Sequence, residues 1–121
     1  MNITIINDCK DENARGRQLT RIGSIFQYPA NFIGVSNELE AAGNIIDVLD
    51  ANGENSGIIL VNVAPRNGKA KKYPNGTPFG YFWYEKTLII SSIDGYTLSI
   101  VKKLKLTKFI NVLNIPETLI F

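Results

Sequence analysis

The chain has 121 residues, 45% of them apolar and 20% charged, with a net charge of +2. That balance suits one globular domain over 1–121 and excludes general disorder. So small a charge gives no ground for a nucleic-acid or membrane partner, and neither is expected.

There is no histidine. Ser-His-Asp and Cys-His catalysis are therefore excluded, as are histidine-bearing zinc sites, and no metal site is expected. Any general base must be a carboxylate, a lysine, a tyrosine or the lone thiol. Cys9 is the one cysteine, so no intrachain disulfide can form. The pattern predicts a reducing, cytoplasmic setting. No apolar run approaches the ~18 residues of a membrane span. The first strand begins almost at Met1 with no basic leader, so no signal peptide is expected.

Residues 2–6 (NITII) read as a first strand. Asp11 or Asn13 then caps a helix over about 13–26, whose apolar positions are Leu19, Ile22 and Phe26. Tyr28-Pro29 ends it. Residues 31–35 (NFIGV) read as a second strand. A second helix starts at Ser36 or Asn37, with Glu40 placed for a capping box. Its expected apolar face is Leu39, Ala42, Ile45, Ile46 and Leu49.

A turn-rich stretch, NGENSG, spans 52–57. Residues 58–63 (IILVNV) form an unbroken apolar run, the pattern of a central strand buried on both faces. A long basic loop follows over 64–77, then strands over 78–85 and 87–92. Asp94-Gly95 is a turn, residues 96–104 fit helix or strand, and 108–113 is a last strand before Pro116. The predicted fold is thus α/β: a mainly parallel central sheet with flanking helices, in the order β-α-β-α-β, followed by a β-rich second half.

In open parallel sheets ligands bind outside the carboxyl ends of the strands. Asn7 and Asp8 fall there, and a carboxylate at that place can accept hydrogen bonds from a ribose diol. The competing reading of Asp8 is a turn or helix cap. Arg66, Lys69, Lys71 and Lys72 follow the central strand and suit a phosphate or carboxylate, or are simply solvated. The loop is not a Walker A motif, because Ala70 stands where Ser or Thr is required. The run Tyr81-Phe82-Trp83-Tyr84 alternates across a strand, so one set should be core, and an interface role is the alternative to base stacking. Arg17 and Arg21 bind an anion or pair with neighbouring acids. Cys9 reads as inert for want of a second cysteine or a histidine.

Taken in order, these pieces resemble the amino-terminal domain of the SAM hydroxide adenosyltransferase and fluorinase family. Asn7-Asp8-Cys9-Lys10 is similar to its T-D-F-G, and Gly34 to Leu39 to its D-I-T-H-E-I. Asn62 to Gly68 is similar to V-V-D-P-G-V-G, Ser92 to Leu98 to P-D-N-G-L-L-T, and Ile110 to Pro116 to the closing V-Y-x-L-x-N-P. The likeness spans nearly the whole chain but only the first domain of the family. Its carboxyl-terminal barrel has no counterpart in these residues.

The resemblance implies adenosine or S-adenosylmethionine as ligand, bound between subunits of a homotrimer, with no separate cofactor. It implies that Asp8 holds the ribose hydroxyls, that Gly95 is the turn glycine, and that Lys71 stands where the family has arginine. The ligand-binding set is then Asn7, Asp8, Asn37, Arg66, Lys69, Lys71, Asp94 and Gly95. Ala64 stands where hydroxide-using members have aspartate, Asn37 where they have a histidine, and Asp94 where they have asparagine. Nothing evident activates water, so no catalytic residue is assigned. The leading expectation is a silent or altered nucleoside-binding relative. One alternative is an S-adenosylmethionine hydrolase with changed residues, in which Asp8, Asp94, Lys69 and Lys71 act. The other is an interaction module that assembles with a separate partner chain.

Overall fold

A computed structural model of the chain describes residues 1–64, 79–93 and 111–113. The described elements are β1 (Asn2–Asn7), α1 (Glu12–Phe26), β2 (Ala30–Gly34), α2 (Glu38–Asn52), β3 (Gly57–Asn62), β4 (Phe79–Tyr84), β5 (Thr87–Ser92) and β6 (Asn111–Leu113). They form an α/β fold around one mixed sheet in the order β2-β1-β3-β5-β4-β6. Strands β2, β1, β3 and β5 run parallel, while β4 pairs antiparallel with both β5 and β6.

Pleating sorts the apolar residues onto two faces. Ile3, Ile5 and Leu60 point to the α1 side and pack with Ile22, Leu19 and Phe32. Ile6, Ile59, Val61 and Ile89 point to the α2 side and meet Ala41, Ala42, Ile45 and Leu49. The first crossover moves from β1 to β2 and the second returns past β1 to β3. Right-handed crossovers in opposite directions require helices on opposite faces. Because β3 is covered on both sides, its middle, Ile58 to Val61, is apolar at every position rather than alternating.

Local chemistry sets the helix ends. The Asp11 carboxylate caps α1 by accepting the Ala14 N–H at 2.9 Å. Gln27 closes the same helix in the left-handed region at φ 55°, a place more often held by glycine. Asn37 caps α2, accepting the Glu40 N–H at 2.9 Å. Glu40 does not reach back to the Asn37 N–H, as a capping box would. Its carboxylate takes the N–H of Ser36, one residue earlier, at 2.7 Å.

Three expected core residues move outward. Leu39 is 68% exposed and Glu38 is buried in its stead, because α2 starts with Glu38 turned toward the core. Phe26, at the last turn of α1, is exposed, and Ile46 is only partly buried. In β4 the alternation holds: Phe82 is buried in the α2-side cluster, while Trp83 is 60% exposed. Strands β4 and β5 are joined through Glu85 and Lys86, with Glu85 at φ 51°.

The opposite, amino-terminal edge is held by Asn52. Its buried carboxamide donates to the Asn55 carbonyl at 2.7 Å and to Thr87 Oγ1 at 2.9 Å, and accepts from Asn2 Nδ2 at 2.6 Å. One side chain thus ties the end of α2 to the starts of β1 and β5. Gly57 makes this possible, since a Cβ there would lie 2.9 Å from Asn52 Nδ2 and 3.0 Å from the Asn2 carbonyl oxygen. Asn52→Ala is expected to cost about 1–3 kcal/mol by leaving buried polar partners unsatisfied. Adding Thr87→Val should recover part of that loss, because the orphaned hydroxyl goes with it. Urea denaturation of the two single variants and the double variant measures the coupling.

Candidate functional site at the carboxyl edge of the sheet

Strand β1 leads to β2 on one side, while β3 lies on the other. The strand order therefore reverses between β1 and β3, the place where open α/β sheets bind ligands outside the carboxyl ends of their strands. Asp8 follows β1 and Ala64 follows β3, so both stand at the mouth of the reversal. The Ala64 N–H donates to Asp8 Oδ2 at 2.9 Å. This bond draws the two exits together. It also gives Asp8 a turn-fastening role of the kind that competed with ligand binding in the sequence.

Neighbouring residues shape the turn before α1. Asn7 is buried, and its Oδ1 accepts the Cys9 N–H at 2.8 Å, closing an Asx turn. The Asn7 carbonyl accepts the Val35 N–H at 3.0 Å, which carries the β1–β2 ladder one step past β2. Gln18 Nε2 donates to the Cys9 carbonyl at 3.0 Å, fixing the loop onto α1. Lys10 crosses to the second loop and donates to Ser36 Oγ at 2.8 Å. It packs so closely over Gly34 that a Cβ at that position would lie 2.8 Å from Lys10 Cβ. At the far side, Ser92 Oγ accepts the Val63 N–H at 3.2 Å and donates to the Val63 carbonyl at 3.4 Å.

The expected ligand-binding residues separate into two groups. Asn7, Asp8 and Asn37 all lie on the carboxyl edge. Asn7 and Asn37 have their carboxamide oxygens engaged by backbone, in the Asx turn and in the α2 cap. Arg66, Lys69, Lys71, Asp94 and Gly95 lie outside the described residues. Lys10, Ser36, Glu40 and Ser92 also contribute to this edge, though none was among the expected ligand-binding residues. Ser36 and Glu40 carry a local cap signal, whereas the Lys10–Ser36 and Val63–Ser92 contacts join loops far apart in the chain and no spacing pattern marks them. Cys9 is exposed. Arg17 and Arg21 line a shallow depression on α1 with Gly16, Thr20, Ser24 and Ile25, separate from the carboxyl edge.

Among the described residues, no group of histidine, cysteine and carboxylate side chains is arranged to hold a metal ion. No described helix is long and apolar enough to cross a membrane. No protein-family model matches the chain, and neither a curated protein nor a solved structure matches it.

Asp8→Ala removes the acceptor for the Ala64 N–H. The expected result is faster hydrogen exchange at the Ala64 amide and a stability loss of about 1 kcal/mol. Asp8→Asn keeps an acceptor oxygen and should retain most of the protection. Amide exchange followed by NMR distinguishes the two variants.

Proposed function

We propose that this chain is a small nucleoside-binding domain that takes adenosine or S-adenosylmethionine at the carboxyl edge of its sheet. In this reading it is a catalytically silent or altered relative of the SAM hydroxide adenosyltransferases. One observation carries the proposal: the Asp8 carboxylate stands at the reversal point between β1 and β3, where open α/β sheets bind their ligands. A carboxylate at that place suits a vicinal diol, because both hydroxyls can donate to it. Asp8 is bonded to the backbone N–H of Ala64, whose methyl side chain can neither accept a proton nor orient water. The reading is therefore one of binding without the family's hydroxide chemistry.

A second reading has its own support. Trp83 on β4 is 60% exposed, and an aromatic side chain of that size suits contact with another subunit. An interaction role, with the homotrimer implied by the family likeness, belongs to the proposal on this ground.

Isothermal calorimetry with adenosine and with S-adenosylmethionine is expected to give saturable heat. Asp8→Asn should weaken it about ten-fold, the loss of one charge-assisted contact. No heat and no thermal shift with either ligand would sink the nucleoside reading. Chromatography should recover S-adenosylmethionine intact after incubation, and release of adenosine would instead favour an altered hydrolase. Light scattering should return three times the chain mass of 13.4 kDa, and a monomer mass would remove the oligomer.

A further inference from the structure

The two helices carry opposite charge. α1 holds Arg15, Arg17 and Arg21 against one acid, Glu12, which already faces Arg15 at 3.9 Å. α2 holds Glu38, Glu40, Asp47 and Asp50, and neither lysine nor arginine. The helices cover opposite faces of the sheet, so they do not meet within one copy. Among the described residues Arg17 and Asp47 are exposed, and neither has an ion pair within the chain. Leu39 on α2 and Ile25 on α1 are, at 68% and 63%, the two most exposed large apolar side chains described.

These residues fall at matching intervals. Arg17, Arg21 and Ile25 follow one another every four positions along α1, and Leu39, Gly43 and Asp47 do so along α2. Residues four apart share a helix face, and all six are exposed. When the two rows are laid antiparallel, Arg17 meets Asp47, Arg21 meets Gly43 and Ile25 meets Leu39. A parallel arrangement would set Arg17 against Leu39 and Ile25 against Asp47. Gly43 fits the antiparallel pairing. No atom lies within 4 Å of a Cβ placed on it, so no neighbour inside the chain calls for a glycine there. A glycine inside a helix costs stability relative to alanine, and here it leaves room for the stem of the arginine opposite.

We infer that α1 of one copy docks antiparallel on α2 of another, through an Arg17–Asp47 ion pair and an Ile25–Leu39 contact. Because the two helices lie on opposite faces, a copy does not return the contact to the same neighbour. The association is head-to-tail, and a ring of three or more copies, or an open chain, satisfies each interface. This deepens the subunit-contact reading and rests on it only for the existence of an oligomer. Neither Trp83 nor a nucleoside enters it.

Light scattering of the full chain in dilute salt is expected to give a mass above the 13.4 kDa of one copy. The mass should fall in about 0.5 M salt, which screens exposed ion pairs. Arg17→Glu and Asp47→Arg should each weaken the association about ten-fold or more by setting like charges together. Combining the two restores an opposite pair and should recover the mass. Arg17→Glu combined with Glu54→Arg changes the net charge equally, but Glu54 lies beyond the end of α2, and this variant should stay dissociated. An equimolar mixture of the two single variants should also co-associate, since each supplies the face the other needs. Circular dichroism checks that every variant is folded. Folded single variants that keep the parent mass, or equal recovery with Glu54→Arg, would overturn the inference and leave the oligomer itself standing. A monomer at every concentration and salt would remove both.

Discussion

The reversal of strand order between β1 and β3 is the constraint on which the rest of the edge depends. It forces two chain exits to diverge, one toward α1 and β2, the other away past β3. Diverging exits leave backbone donors without ladder partners, and a buried or half-buried N–H without a partner is costly. The Asp8 carboxylate answers that cost on the β3 side by taking the Ala64 N–H. Asn7 answers it on the β1 side through its Asx turn. The strand reversal is thus what demands polar side chains at the two strand ends that flank it.

Most of the framework was legible because it follows from burial. The middle of β3 shows itself as an unbroken apolar run, since helices cover both of its faces. α1 and α2 show themselves through caps and a helical repeat of apolar residues. Leu39 illustrates where that reasoning stops. Periodicity places it beside Ala42 and Ile46, but a first-turn residue is aimed by the loop that delivers it. Here the cap at Asn37 turns Glu38 inward and leaves Leu39 in solvent. A repeat constrains the middle of a helix far more tightly than its first turn.

The site was legible only as positions. The order of elements puts Asn7, Asp8 and Asn37 on one edge without any contact being known. The contacts themselves join residues far apart in sequence: Lys10 to Ser36, Asp8 to Ala64, Val63 to Ser92. No local pattern encodes such pairs. Asn37 shows the consequence. It stands where the resembled family has a histidine, which invites a ligand role, yet its side-chain oxygen caps α2. Asparagine is a good cap because its carboxamide reaches the third N–H of the helix.

The same contacts bear on what chemistry the edge can host. A group that activates water needs a proton acceptor aimed at the reacting atom, not one already fastening a loop. Glu40 and Asp11 hold backbone N–H groups, and Ala64 contributes a methyl group and an N–H. Each carboxylate that stays on its backbone partner keeps the loops in place; each one that left to serve as a base would release an N–H and loosen the cap or turn it supports. Rigidity and basicity therefore oppose one another along this edge. Along the described part of this edge the carboxylates of Asp8, Asp11 and Glu40 resolve the opposition toward rigidity.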